Sequence, residues 1–323
     1  MPGRVDCKPI LLIVFNRPVT TRRVFEAVRN ARPSKLFVAA DGPRKYKEGE
    51  AERCKLVREI ATAVDWDCEV QTLFRETNLG CGIGPSSAIT WFFEHEEEGI
   101  ILEDDCLPSP EFFTFCSELL DRYRHDERIM NIGGCNFLPA GYHNDSVVSY
   151  YFSKHGNTWG WATWGRAWRL YDYNMRSYKS ARQQEVLEHS YNSLAEKEYF
   201  LRIFERTYID NRSITWWDYQ WEFLLRTNSA LTVVPNKNLV VNIGIGEDAT
   251  HTTNPNGLAA KMRHEQLHLP IKHPEHIVPD YNKDVIFFKT MKTTFRSRIK
   301  SRIRSLVPGI ILALFARGIS RMG

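Results

Sequence analysis

The sequence lacks the short motifs of several common enzyme classes. It has no Gly-x-Ser-x-Gly elbow and no His-Glu-x-x-His pattern, so an α/β-hydrolase and a zinc protease have no support. Its glycine-rich segment, Asn78–Gly84, follows neither the Gly-x-Gly-x-x-Gly pattern nor the Walker pattern with its Lys-Ser/Thr pair. A dinucleotide fingerprint and a P-loop are therefore both absent from that segment.

Cysteine pairs and long apolar runs are also missing. The seven cysteines are odd in number and never spaced C-x-x-C, which argues against a disulfide framework or a zinc site and favours reduced thiols in a cytosolic protein. The apolar run Ile10–Phe15 is too short for a signal-peptide core, so we expect a protein that is not exported. A second run, Leu306–Phe315, is too short to cross a bilayer.

Net charge is small but unevenly distributed over the 323 residues. The chain has 43 Lys and Arg against 39 Asp and Glu, a formal +4. Residues 291–323 hold eight basic residues and no acidic one, which leaves 35 basic against 39 acidic residues in the rest. A mildly acidic body with a basic tail is not typical of a nucleic-acid-binding protein.

Residues 1–135 alternate between strand-like and helix-like patterns. Strands are predicted at Ile10–Phe15, Lys35–Ala40, Cys68–Phe74 and Gly99–Leu102. Helices are predicted from a cap at Thr20 or Thr21 to near Pro33, over a charged stretch with Cys54, Val57, Ile60 and Ala61 on one face, from Pro85 to His95 after a glycine-rich turn, and from near Pro110. This alternation indicates an α/β fold with a mostly parallel sheet flanked by helices, which binds ligands beyond the carboxyl ends of its strands.

The rest of the chain divides into an aromatic part and a tail. Residues 136–290 form the predicted acceptor-binding half and contain seven of the nine tryptophans; residues 1–135 form the nucleotide-binding half of the same domain. Four prolines between positions 254 and 290 predict irregular polar loops there. Residues 291–323 are a basic, short amphipathic tail.

The most informative motif is an apolar strand that ends in three acids, Glu103-Asp104-Asp105. Adjacent carboxylates repel one another, and a divalent cation removes that repulsion. Mn²⁺ or Mg²⁺ prefers such oxygen ligands and often takes one or two carboxylates while a diphosphate supplies the rest. The alternative is a solvated acidic turn, or acids collected at a helix N-terminus.

Several segments together resemble the GT-A glycosyltransferases, and most closely the N-acetylglucosaminyltransferase I group and its bacterial relatives. The resemblance runs from about Pro9 to Thr253 and includes Pro9–Arg17, Ala39–Gly42, the acidic turn with Pro108–Phe113, Gly160-Trp161 and Trp217-Asp218. It implies a GT-A-type nucleotide-diphospho-sugar transferase fold and a metal-dependent inverting hexosyl- or N-acetylhexosaminyltransferase. The implied partners are a nucleotide-sugar donor and a glycan or lipid-linked acceptor, as in cell-surface polysaccharide biosynthesis.

The resemblance also implies roles for individual residues. Asp105 would bind the metal, while the nucleotide would contact Glu103, Asp104, Arg17 and Asp41. Asp218 would be the catalytic base, although the family has two adjacent acids where this chain has Asp218-Tyr219. Trp161 and Trp217 fall in the implied acceptor motifs, and His251 lies in a counterpart of a late histidine motif.

The residue types add alternatives to these roles. Trp159 and Trp161, beside Gly160, suit a platform for a sugar ring or a hydrophobic core, and Trp164 and Trp168 suit a core. Large aromatic neighbours would desolvate Asp218 and raise its pKa, unless it is a scaffold residue. Arg75 is expected near a phosphate, and His251 is either a metal ligand or a structural residue.

The tail combines six basic residues between Lys292 and Arg304 with a short apolar run. This combination favours peripheral binding to the cytoplasmic face of the inner membrane; the alternative is a helix docked on the body.

Two other functions compete with glycosyl transfer. A sugar nucleotidyltransferase would need a glycine-rich loop after strand one, where this chain has Asn16–Val19, and a non-catalytic glycan-binding module would not need the carboxylates.

Overall fold

A sheet of eight strands runs through the computed structural model, which describes residues 7–188, 190–210, 215–244 and 258–291. Its strand order is β3-β2-β1-β4-β8-β6-β9-β7, and β5 and β10 form a separate antiparallel pair. The strands are β1 (Ile10–Val14), β2 (Lys35–Ala40), β3 (Glu69–Phe74), β4 (Glu98–Glu103), β5 (Cys106–Pro108), β6 (Ile129–Gly133), β7 (Tyr150–Ser153), β8 (Trp161–Trp164), β9 (Leu231–Pro235) and β10 (Val240–Asn242).

Helices cover both faces of this sheet. They are α1 (Pro18–Ala31), α2 (Glu50–Ala61), α3 (Gly80–Phe93), α4 (Pro110–Arg122), α5 (Gly165–Trp168), α6 (Tyr178–Gln183), α7 (Leu194–Ile209), α8 (Asp218–Thr227) and α9 (Leu258–Lys261), with a 3₁₀ turn at Ala140–Tyr142. Residues 281–291 are also helical and are called α10 below.

The first four strands confirm the predicted parallel sheet. β2 and β4 lie on either side of β1, β3 lies beyond β2, and all three pairings are parallel. Successive residues of β1 pack into two different hydrophobic cores, one on each face of the sheet, because side chains along a strand point to opposite faces. Leu12 packs with α1, α2 and α4 on one face, and Leu11 packs with α3, α5 and α8 on the other.

Helix α1 shows how the local sequence produces one of these layers. Its buried residues Thr21, Val24, Phe25 and Val28 follow helical spacing and form one stripe. The helix begins at Pro18, which suits the first helical position because it has no N–H to leave unsatisfied. The predicted cap at Thr20 or Thr21 is therefore wrong: Thr21 lies inside the helix and its hydroxyl donates to the Arg17 carbonyl.

The aromatic half extends the same sheet. β8 pairs antiparallel with β4 and with β6, and β9 pairs parallel with β6 and antiparallel with β7. Trp164 and Trp168 are buried, as predicted for core residues. The two predicted halves thus share one sheet, and the cleft described below lies between them.

Two sequence expectations about local structure are wrong. The glycine-rich segment is the first turn of α3 instead of a turn before a helix at Pro85. Residues 281–291 form a helix where irregular loops were expected; the apolar run 285–288 is buried or half-buried there. The loop prediction relied on four prolines, of which Pro279 is the last, and the helix begins just after it.

All seven cysteines lie among the described residues, and each is a thiol outside any disulfide. Over the described ranges, no helix has the length and apolar character needed to cross a bilayer. The basic tail beyond Met291 lies outside the described residues, so its predicted membrane contact is not seen here.

Candidate functional site

A cleft of about 1400 Å³ lies at the carboxyl ends of the parallel strands, where the sequence predicted a ligand site. Residues following four strands line it, namely Arg17 after β1, Asp41 after β2, Arg75 after β3 and the acidic turn after β4. From the aromatic half come Trp159, Trp216, Trp217 and Asp218. The structure therefore brings the residues predicted for the donor to one cleft with Trp159, Trp217 and Asp218.

The acidic turn is held between the first strand and the segment after β10. Asp104 is buried, and its Oδ2 accepts a hydrogen bond from the Phe15 amide at 3.1 Å. Arg17 Nη1 lies 2.7 Å from Asp105 Oδ2 and 4.0 Å from Asp104 Oδ1. A methyl group at Gly244 would collide with Asp105 Oδ2, so glycine lets the backbone pass directly over this ion pair.

Burial and neighbouring negative charges raise the pKa values of two carboxyl groups in the acidic turn. Burial raises the pKa of Glu103 to about 8, and the negative charges of Asp105, Asp104 and Asp218 act in the same direction. Burial and the charge of Asp105 likewise raise the pKa of Asp104 to about 7, against the opposing effect of Arg17. Asp218 of α8 lines the same cleft as the acidic turn.

Asp218 is the first residue of α8, and its Oδ1 accepts a hydrogen bond from the Tyr219 amide at 3.1 Å. The prediction that it is desolvated among aromatic side chains is wrong, because Asp218 is exposed. Trp217, which precedes it, is buried and leaves the carboxylate at the surface of the cleft. An exposed carboxylate at this position can be reached by an incoming hydroxyl group.

The donor set of the turn fits a diphosphate-bound divalent cation. Within the described ranges, no three Asp, Glu, His or Cys side chains are arranged to hold a metal ion unaided. Mg²⁺ and Mn²⁺ commonly take only one or two protein carboxylates, with phosphate and water supplying the other oxygens. Asp105 offers such a carboxylate, and Glu103 and Asp104 place two further acids beside it at the cleft.

Asp41 lines the cleft, but its carboxylate is engaged by the start of α3. It accepts hydrogen bonds from the amides of Leu79 and Gly80 and from Asn78 Nδ2, at 2.9 to 3.0 Å. These bonds satisfy N–H groups at the helix N-terminus. Gly84 packs against Asp41 Oδ2, which explains a glycine there. Asp41 thus positions α3 beside the cleft.

Sequence reasoning missed a buried carboxylate that holds two residues of the cleft lining. Glu50, at the start of α2, has no exposed surface, and it accepts hydrogen bonds from Asn16 Nδ2 at 2.8 Å and from the Arg44 amide and guanidinium. Asn16 and Arg44 both line the cleft. Nothing in the sequence distinguishes Glu50 from the other glutamates near it.

Arg75, as predicted, also lines the cleft, and its guanidinium donates to Ser87 Oγ.

Replacing Glu50 with glutamine is expected to destabilise the protein by about 1–2 kcal/mol at pH 7. The hydrogen-bonded Arg44 guanidinium lowers the pKa of Glu50 from 4.5 to about 2, which is equivalent to roughly 3 kcal/mol before allowing for solvent around the half-exposed Arg44. Because the folded-state pKa is lowered, this contribution is present above pH 4.5 and is lost as the pH falls towards 2. Urea unfolding of wild type and E50Q at pH 7 and at pH 2.5 measures it.

The exposed neighbour Glu48 provides a matched control, because E48Q makes the same chemical change in the same loop. We expect E48Q to be within about 0.5 kcal/mol of wild type at both pH values. A difference between wild type and E50Q that stays constant from pH 7 to pH 2.5 would contradict the assigned pKa.

The predicted tryptophan platform is only partly present. Trp159 is half-buried, lines the cleft and packs edge-on against Phe137. Trp161 is only 1% exposed and stacks against Trp217 in the core, so its expected contact with an acceptor is wrong. Trp217 is buried but reaches the cleft wall, and Trp216, which was not predicted, is half-buried there. A strand register that points Trp161 inward decides this outcome.

Helix α10 adds two residues to the cleft lining that were missed, Phe287 and Met291. The signal for Phe287 was the apolar run 285–288 in a segment assigned to loops. His251 lies outside the described residues, so its role remains a prediction.

Two of the solved structures that are similar to this chain are distant from it in sequence. No family model matches the chain, and no curated protein matches it. A structure of HddC from Yersinia pseudotuberculosis is similar over 50% of this chain and 78% of that chain, with 8% identity and a TM-score of 0.28. UDP-glucose pyrophosphorylase in complex with UDP-glucose is similar over 51% and 78%, with 10% identity and a TM-score of 0.29. At these TM-scores neither likeness carries an argument about function.

Proposed function

We propose that this chain is a metal-dependent inverting glycosyltransferase of GT-A type. It transfers a sugar from a nucleotide-diphosphate donor, expected to be UDP-linked, to a hydroxyl group of a cell-surface glycan or lipid-linked precursor. The observation that carries the proposal is the meeting of two acidic elements in one cleft. Glu103, Asp104, Asp105 and Asp218 all line this cleft, and the charge of Asp218 is among those that raise the pKa of Glu103.

The size and lining of the cleft suit two substrates. About 1400 Å³ exceeds the roughly 300–1,000 Å³ typical of a site for one drug-sized ligand. Its lining includes Arg17 and Arg75 at the strand termini, which suit a nucleotide diphosphate. It also includes Trp159 and Trp216, whose rings suit a sugar.

In the proposed reaction, three residues of the chain have defined roles, namely Asp105, Arg17 and Asp218. Mn²⁺ or Mg²⁺, when bound at Asp105, would supply positive charge to the diphosphate leaving group. Arg17, beside Asp105, adds a guanidinium directed at the same place. Asp218 takes the proton from the acceptor hydroxyl, whose oxygen bonds to the anomeric carbon as the bond from that carbon to the diphosphate oxygen breaks. The electron pair of the broken bond leaves with the nucleoside diphosphate.

A panel of nucleotide sugars with Mn²⁺ tests the proposal. A ligand that binds only the folded state raises the apparent stability, so the true donor should raise the Tm in the presence of Mn²⁺ and less in EDTA. The same donor should be hydrolysed slowly to the nucleoside diphosphate when no acceptor is added. Absence of both effects for every donor would contradict glycosyl transfer.

Sugar nucleotidyl transfer is the alternative enzymatic function, and pyrophosphorylase is also the name of one similar structure. The connection from β1 to α1 consists only of residues 15–17, which is short for a loop that cradles a triphosphate. Adding pyrophosphate to the assay separates the two reactions: a nucleotidyltransferase would release a nucleoside triphosphate and a sugar phosphate. A non-catalytic binding module would bind glycans with no turnover under either condition.

We further propose that the tail holds the enzyme on the cytoplasmic face of the membrane, where lipid-linked acceptors lie. Met291, the first residue of the tail and the last one that the structure describes, lines the cleft. The basic residues of the tail would each add about 1 kcal/mol on an anionic surface.

Deletion of residues 292–323 is therefore expected to abolish sedimentation with vesicles that contain anionic lipid. Glutamine at Lys292, Arg296, Arg298, Lys300, Arg302 and Arg304 should have most of the same effect, because it removes charge and keeps the apolar run. Wild-type binding should fall as salt is raised and be weak on neutral vesicles. Unchanged sedimentation of the deletion variant would contradict the membrane proposal.

A further inference from the structure

One wall of the cleft is a loop whose backbone is held by side chains from distant parts of the chain. Residues 153–159, here called the wall loop, include the cleft-lining residues 156–159. Three consecutive backbone amides of this loop donate to side-chain oxygens: Lys154 to Asp284 Oδ2 at 3.1 Å, His155 to Ser153 Oγ at 3.0 Å, and Gly156 to Glu222 Oε2 at 2.6 Å. The shortest of these bonds is made by Glu222.

Glu222 lies on the helix that presents the proposed base. Asp218 is the first residue of α8, and Glu222 follows it by one helical turn. The same helix thus contributes Asp218 to the floor of the cleft and a hydrogen-bond acceptor to the wall loop. This arrangement couples the location of Gly156 to that of Asp218 through one rigid element.

A second buried charge sets the orientation of Glu222. Its other oxygen, Oε1, accepts a hydrogen bond from Arg226 Nε at 2.9 Å, and Arg226 is only 3% exposed. Arg226 is itself held by the Ser190 carbonyl at 2.6 Å and by Glu196 Oε1 at 3.1 Å. With Oε1 occupied in this way, Oε2 is directed at the Gly156 amide.

A contribution to the free energy of unfolding is a weak explanation for burying the charges of Glu222 and Arg226. Replacing a buried ion pair with apolar side chains of similar volume is often neutral or stabilising, because desolvating the charges costs more than their attraction returns. A buried acceptor for a loop amide, in contrast, defines the loop geometry. The contacts of Glu222 therefore point to a geometric role.

We infer that Glu222 is a positioning residue for the acceptor: it fixes the wall loop, through the Gly156 amide, at a set distance from Asp218. The inference deepens the proposed function and rests on it for the kinetic measurements. The local geometry can be measured in the full chain without any substrate.

The principal variant is Glu222→Gln. Its amide oxygen is expected to stay with the charged donor Arg226, which turns the NH₂ group towards the Gly156 N–H and removes the hydrogen bond. Hydrogen exchange of the Gly156 amide should become at least about tenfold faster. The acceptor KM should rise about tenfold, while the donor KM and the rate of donor hydrolysis stay within about twofold of wild type.

Glu196→Gln is the matched control. Glu196 belongs to the same buried network, where it contacts Arg226, the His155 ring and the Asn192 amide; among the described residues it accepts no hydrogen bond from a wall-loop amide. We expect wild-type exchange at Gly156 and a wild-type acceptor KM. If E222Q does not fold, Glu222→Asp keeps the charge opposite Arg226 but shortens the side chain, and the same two measurements apply.

Faster exchange at Gly156 with a selective rise in acceptor KM supports the inference. Unchanged exchange in the Glu222 variants overturns it, as does faster exchange with an unchanged acceptor KM or with an equal rise in both KM values. Equal kinetic effects of E196Q and E222Q also overturn it, because they would indicate a general loss of the network. Absence of turnover in the wild-type protein is a different result and would overturn the proposed function itself.

Discussion

Asp105→Asn is expected to slow donor cleavage about 10²- to 10³-fold while the fold is retained. A metal ion contributes several kcal/mol of charge stabilisation to a departing diphosphate, and each 1.4 kcal/mol changes the rate about tenfold. Asparagine keeps the shape of the side chain and an oxygen for Arg17, which lies 2.7 Å from Asp105, but it removes the negative charge. Steady-state hydrolysis of the donor with saturating Mn²⁺ measures the effect.

Measuring the stability of D105N distinguishes loss of the metal site from loss of the folded state. Removing a charge that raises the pKa of both Glu103 and Asp104 relieves repulsion in the turn, so the Tm in EDTA should not fall. Mn²⁺ added together with the donor should raise the Tm of wild type but have little effect on D105N. Asp67→Asn is the control, since Asp67 is exposed and outside the cleft. Donor cleavage by D105N within tenfold of wild type would exclude Asp105 as the metal ligand.

Asp218→Asn is expected to reduce sugar transfer about 10²- to 10⁴-fold, the usual contribution of a general base. Asparagine cannot take the proton of the acceptor hydroxyl, but it can still accept the hydrogen bond from the Tyr219 amide at the start of α8. Donor affinity, read from the Mn²⁺-dependent rise in Tm, should therefore stay near that of wild type. Product formation with donor and acceptor together is the measurement.

Comparing the two variants separates the two proposed roles. D105N should lose both donor hydrolysis and transfer, whereas D218N should lose mainly transfer. The cost of D218N in stability should be below about 1 kcal/mol, since the charge that is removed is exposed and lies at a helix N-terminus. Transfer by D218N at the wild-type rate would move the base to another residue.

The parallel half of the fold could be predicted because its signals are local. Continuous apolar runs at β1, β2 and β4, separated by helical patterns, are sufficient to identify buried parallel strands, and the acids after β4 must then lie at the ligand edge of the sheet. Side-chain direction was harder to predict. Trp159 and Trp161 have similar sequence surroundings, yet one lines the cleft and the other is in the core.

By itself, then, the sequence determined the α/β pattern, the acidic turn and its place at the strand ends, because these depend on periodicity over a few residues. Tertiary structure alone decided that Asp218 is exposed, that Glu50 holds Asn16, and that Glu222 and Asp284 hold the wall loop. The last two contacts join residues 66 and 130 positions apart. Such pairings depend on how whole elements pack, and no local pattern along the chain encodes them.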